Sequence, residues 1–114
     1  MKPAFFAAFF AAVLTGLLVS SGCTKSGGPS SDLAARGRVV YQSNCIACHN
    51  TDPRKPGTLG PDLWGSSQEL VESRVMRGEY PPGYAPKRQT HQMVPLPQLQ
   101  ADIPALHAYL NSKD

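Results

Sequence analysis

The chain lacks any cluster of like charge. Its 11 Lys and Arg and 8 Asp and Glu are scattered, and charged residues make up only 17% of 114. A nucleic-acid footprint needs a basic patch or stripe, so a nucleic-acid partner is excluded. Strand-like alternation is missing as well. Pro (11) and Gly (10) recur at nearly every turn, which argues against a large regular sheet or a long coiled coil. Length sets the next limit. Beyond the first 22 residues there remain 92, enough for one domain and too few for two. A domain that small buries roughly 60–65% of its unfolded surface and is marginal without a staple, metal or cofactor.

What the chain does have is a concentrated apolar start. Of the 16 residues 4–19, only Thr15 and Gly16 fall outside the hydrophobic set. Lys2, the apolar run and Ser20-Ser21-Gly22 have the order of a secretory signal. Directly after Ser-Gly, Cys23 resembles the acceptor cysteine of bacterial lipoproteins, whose thiol is acylated before cleavage leaves it as residue one. An uncleaved anchor is the alternative, although a spanning helix takes about 20 apolar residues. A soluble periplasmic form with an incidental cysteine is the third reading. The first two place the domain outside the cytoplasm, tethered to a membrane. Residues 24–31 (TKSGGPSS) contain no apolar side chain and read as a flexible linker with a span of about 15 Å. The expected organisation is a signal or anchor over 1–22, lipid-attachment cysteine and linker over 23–31, and one domain over 32–114.

With Cys23 assigned to lipid, Cys45 and Cys48 remain, in Cys45-Ile46-Ala47-Cys48-His49. C-x-x-C alone could be a redox pair or half a zinc site, whereas C-x-x-C-H reads as covalent c-type haem attachment. Two thiols at this spacing can reach the two vinyl groups on one porphyrin edge, and the next residue can swing its imidazole under the iron. The rivals lack context. No βαβ pattern flanks the motif, as a thioredoxin-like pair would require. A zinc site would need His91 or His107 as a fourth ligand, without zinc-finger spacing.

From Cys45 onward the chain resembles the small class I bacterial cytochromes c, over most of residues 32–111. That resemblance implies a mostly α fold in which N- and C-terminal helices cross, with one middle helix and haem-wrapping loops. A first helix is expected over 32–43, capped by Ser31, with Leu33, Gly37, Val40 and Tyr41 on one face. Gly37 costs about 1 kcal/mol against Ala inside a helix; the family places a glycine here where the last helix crosses, with an aromatic four residues on. Ser66 and Glu69 read as a capping box for a helix over 67–77, closed by Gly78 in the left-handed conformation. Met76 on that helix is read as packing. The last helix has Asp102 as expected N-cap and Pro104 in its first turn. Its face, Ile103, Leu106 and Leu110, is expected on Gly37 and Tyr41, with His107 at the surface.

Within Gly57-Thr58-Leu59-Gly60-Pro61-Asp62-Leu63-Trp64, the family resemblance makes Pro61 the residue whose carbonyl orients the proximal histidine, and Leu63 and Trp64 pocket-lining, with a plain core role for Trp64 the equal alternative. Residues 79–97 carry too many prolines for a helix, so Met93 lies on a loop before the last helix, where the family carries its distal methionine. His91 is the alternative sixth ligand. The resemblance thus implies one covalent haem c held by Cys45 and Cys48, with His49 and Met93 as axial ligands of its iron. Tyr80, Tyr84, Lys87 and Arg88 are candidates for propionate or docking contacts. Dropping Lys2 lowers the formal net charge from +3 to +2, which two haem propionates offset, so no strong long-range steering is expected. With both axial positions filled, the implied activity is single-electron transfer between membrane-bound redox complexes or redox proteins, by a monomer or a subunit, and not catalysis. A permanent electron-transfer subunit of a larger oxidoreductase is the first alternative. A haem peroxidase or gas-binding sensor with a labile distal ligand is the second.

Overall fold

The computed structural model describes residues 28–89 and 92–113. The expectations for residues 1–22, Cys23 and His91 lie outside that set. Among the described residues no helix is long and apolar enough to cross a membrane, and there is no strand. Three α-helices form the scaffold: α1 (Pro29–Asn44), α2 (Gln68–Arg77) and α3 (Ile103–Leu110), the last preceded by a 3-10 segment, Pro97–Asp102.

α1 starts three residues earlier than Ser31 capping would allow. Gly28 occupies the N-cap and Pro29 the first helical position, where its fixed φ and missing N–H suit a helix start. Ser31 is therefore inside the first turn, its hydroxyl donating to the Gly28 carbonyl at 2.6 Å. The end of the expected linker is helix.

The crossing of α1 and α3 is set by Gly37. A Cβ there would overlap the Ala105 carbonyl and sit 2.8 Å from the Tyr109 Cβ, so the close approach requires glycine. One turn along, Tyr41 is 1% exposed. Its ring packs at 5.5 Å from Tyr109, and its hydroxyl donates to the Asn50 carbonyl at 2.6 Å. Leu33, one turn before the crossing, stays 38% exposed; the apolar face of α1 is shorter than its periodicity indicates. The core joins Tyr41 to Ile103, Leu106 and Leu110 of α3 and to Val71 and Val75 of α2, with Leu99 from the 3-10 segment.

Two caps differ from expectation. Ser67, not Ser66, caps α2: its hydroxyl accepts from the Leu70 N–H at 3.2 Å. Ser66 instead donates to the Leu63 carbonyl at 2.6 Å, so the Ser66–Glu69 capping box does not form. Gly78 ends α2 at φ 69°, as expected. Asp102 stands at the N-cap of α3 but makes no side-chain capping bond. The 3-10 segment already offers a carbonyl to the first amide, Ile103 N–H to Gln100. The freed Asp102 carboxylate pairs with Arg36 on α1 at 2.6 Å, a second tie across the helix crossing.

Candidate functional site

The end of α1 runs straight into the cysteine motif. The Cys45 N–H still bonds back to Tyr41, and the Cys45 carbonyl accepts from Cys48 and His49 at 3.2 and 2.9 Å. This single tight turn presents Cys45, Cys48 and His49 along one side of a cavity. Neither thiol of the pair is in a disulfide.

Residues 57–61 grip that turn from the other side, almost wholly with main-chain atoms. The Cys48 carbonyl accepts from Leu59 and Gly60 at 3.1 and 2.9 Å, and Gly57 bonds to the Gly60 carbonyl at 2.9 Å. The imidazole lies against Gly60, where any Cβ would overlap the ring, and a Cβ at Gly57 would strike the backbone of Cys48 and His49. His49 Nδ1 donates to the Pro61 carbonyl at 2.9 Å. That bond fixes the tautomer and leaves Nε2 as the ring nitrogen with a free lone pair.

The remaining walls come from α2, α3 and the long loop between them. Leu63, Val71, Val75, Leu106 and Leu110 supply apolar surface, and Met93 and Leu96 close the loop side. The Leu96 N–H donates to the Val75 carbonyl at 2.7 Å, which pins the stretch beside Met93 to α2. Tyr80 and Tyr84 stack at the rim with ring centroids 5.4 Å apart, and the Arg74 guanidinium sits 4.1 Å over Tyr80. Lys87 pairs with Asp62 at 2.6 Å. Arg88 donates to the Gly57 carbonyl at 3.1 Å.

The electrostatics follow burial. Desolvation, then the neighbouring Cys48, pushes the Cys45 thiol up to about 11. Burial lowers His49 below its ordinary value against the opposing Pro61 bond, with Arg74 and Arg88 adding to the lowering. The imidazole is therefore neutral near pH 7, the form that ligates metal. Hydrogen bonding by Lys87 holds the Asp62 carboxyl below its usual range. Burial raises Tyr41, whose phenol stays protonated as a donor.

Of the residues singled out in the sequence, Cys45, Cys48, His49, Pro61, Leu63, Met93, Tyr80, Tyr84, Lys87 and Arg88 line this one cavity. Trp64 does not, and its assignment to the pocket is corrected. Leu63 and Trp64 both send their N–H to the Pro53 carbonyl, and with Leu63 facing the cavity the next side chain falls on the other side. Trp64 lines a separate surface groove, with the Arg54 guanidinium 3.7 Å over its ring. Met76 packs against the core and stays out of the cavity, and His107 is half-buried on α3. Gly57 and Gly60 were missed as site residues. Their signal is present in the sequence, two glycines at i and i+3 that begin eight residues past the histidine.

The donor set fits a covalent haem. Two thiols and a neutral imidazole with one free nitrogen face an apolar cavity that a thioether also lines, and lysine and arginine near its mouth complement carboxylates. Among the described residues no three His, Cys, Asp or Glu side chains are arranged to hold a metal ion by themselves.

Comparison with known proteins agrees with this arrangement. The family model described as cytochrome c matches residues 34–114. A protein named cytochrome c-553-like from Synechocystis sp. is 38% identical over 74 residues, covering 61% of this chain and 62% of the relative. The chain thus spans less than two thirds of the length of that curated relative.

Proposed function

The chain belongs to the cytochrome c family, with covalently attached haem as its cofactor, and from that premise we propose that it is a membrane-tethered carrier of single electrons. The observation that supports this most strongly is one apolar cavity lined together by Cys45, Cys48, His49 and Met93. In this reading the Cys45 and Cys48 thiols would hold the haem as thioethers through its two vinyl groups. His49, with its Nδ1–H on the Pro61 carbonyl, would offer Nε2 to the iron, and Met93 would offer its thioether from the loop.

The haem would supply one-electron chemistry here, and a His/Met ligand pair would favour a higher potential than His/His. The protein's part is to hold both ligands still, so that little rearranges as the charge changes. Apolar walls from α2 and α3 exclude water from the iron. In this reading the stacked Tyr80 and Tyr84, with the Arg74 guanidinium over Tyr80, would offer contacts to the propionates or to a docking redox protein. Partners are membrane-bound redox complexes or small redox proteins. Tethering through Cys23 or the apolar run 4–19 raises the effective concentration at a membrane face and places the domain in the periplasm or its equivalent.

An optical spectrum of the exported protein, with and without Met93→Ala, tests the assignment. The expected outcome is covalent low-spin haem with the weak red ferric band of methionine–iron ligation, lost in the variant together with a fall in potential. Persistence of the band in Met93→Ala, or no covalent haem despite a maturation system, overturns it. For the tether, radiolabelled fatty acid should enter the wild type and not Cys23→Ser.

A further inference from the structure

We propose that Lys87 and Arg88 are positioning residues that clasp the loop carrying Met93 onto the same short segment that orients His49. The inference rests on reading Met93 as the distal ligand.

The loop leaves α2 at Gly78 and is pinned to that helix at both ends. At the start the Glu79 N–H donates to the Ser73 carbonyl at 3.3 Å, and at the return Leu96 bonds to Val75 at 2.7 Å, with the Met93 carbonyl 3.3 Å from where a Cβ on Gly78 would stand. Among its described residues no helix or strand holds the middle. There Lys87 Nζ reaches Asp62 Oδ2 at 2.6 Å and the Asp62 carbonyl at 3.1 Å. Arg88 donates to the carbonyls of Gly57 at 3.1 Å and Thr58 at 3.4 Å. All these acceptors belong to residues 57–62, whose Gly60 abuts the imidazole and whose Pro61 takes its Nδ1–H. One six-residue stretch therefore anchors the proximal histidine with its backbone and the distal loop through two adjacent cations.

Exposed ion pairs contribute little to global stability, since solvent and salt screen them. Their effect on a loop is different in kind. Loop opening is a local event with its own small free energy, so weak bonds confined to the closed form can change the open population severalfold. An outside ligand that needs the open form binds in proportion to that population. The clasp thus controls how readily Met93 can be displaced without deciding whether the protein is folded.

The test uses the haem-loaded full chain, titrated in its ferric form with imidazole as a competing ligand. Lys87→Gln with Arg88→Gln should tighten apparent imidazole binding by about three- to tenfold, with the thermal midpoint little changed. The control is Arg36→Gln, which breaks the comparable Arg36–Asp102 pair at the α1–α3 crossing and should leave imidazole affinity at the wild-type value. Reversing the pair, Lys87→Asp with Asp62→Lys, should recover most of the effect of Lys87→Asp alone. Unchanged affinity in the double variant, or an equal change in Arg36→Gln, overturns the clasp. If Met93→Ala leaves both the red ferric band and the imidazole affinity untouched, the ligand assignment fails first and the clasp with it.

Discussion

Two glycines carry more of this structure than most side chains. Gly37 has no room for a methyl because α3 passes against it. Gly37→Ala gains about 1 kcal/mol of helix propensity and loses more, because overpacking a fixed backbone contact costs about 1–3 kcal/mol. A lowered thermal midpoint of the haem-loaded protein is expected. Gly60→Ala strikes the His49 ring instead, so its expected signature is spectroscopic: weakened proximal ligation, seen as a shifted Soret band and a lower haem yield. Tyr41→Phe removes one buried hydrogen bond to the Asn50 carbonyl, a loss of about 1 kcal/mol measurable by denaturant titration. At this scale the sequence was partly legible. Gly37 stood out because a mid-helix glycine is costly, and Cys45, Cys48 and His49 because their spacing is rare. Gly60 was hidden, because a loop glycine has many ordinary uses. Trp64 misled, since a large aromatic beside a pocket segment reads as lining until the neighbouring side chain is known to point inward.

Among elements, α2 shows how a one-residue shift hides in a repeated letter. Ser66 and Ser67 are both good caps on paper, and only the Ser67 hydroxyl meets an amide of the helix. Ser67→Ala should cost about 1 kcal/mol of stability. Ser66→Ala loses the bond to Leu63 without uncapping α2, and its cost should be smaller; parallel thermal melts separate the two. The start of α1 shifted for a related reason: Pro29 sets helical φ before the capping serine is reached. Asp102 is the reverse case. Its position was right, but a 3-10 segment supplied the acceptor, and the carboxylate took Arg36 instead. Periodicity identifies helices well. It does not say which of several polar side chains at an end will find a partner, because that depends on an element distant in sequence.

For the molecule as a whole, the core and the cavity are largely one surface. Tyr41, Val71, Val75, Leu106 and Leu110 belong to the packed cluster and also line the cavity. A chain this short depends on such a filling for stability. Cys45→Ser with Cys48→Ser, which removes covalent attachment, should abolish the cooperative thermal transition followed by circular dichroism. A small part of the acid sensitivity has a local origin in Asp62. Its carboxyl is held below the ordinary range by Lys87, so the contribution, kept small by solvent screening of a half-exposed pair, is complete above about pH 4 and is lost as pH falls through the lowered value. Stability–pH curves of wild type and Asp62→Asn should therefore differ only slightly at neutral pH and converge in acid.

The grip on His49 is made of carbonyls, amides and missing side chains, while the Thr58 side chain in the same segment is exposed and does not line the cavity. Ligand geometry and surface chemistry are therefore written in different parts of the same segment. A lineage could exchange Thr58 and much of the rim for other side chains, and so change which redox protein it meets, while the imidazole stays where the backbone puts it. Only the two glycines couple the two records, which makes them the points where drift in recognition would first become damage to chemistry.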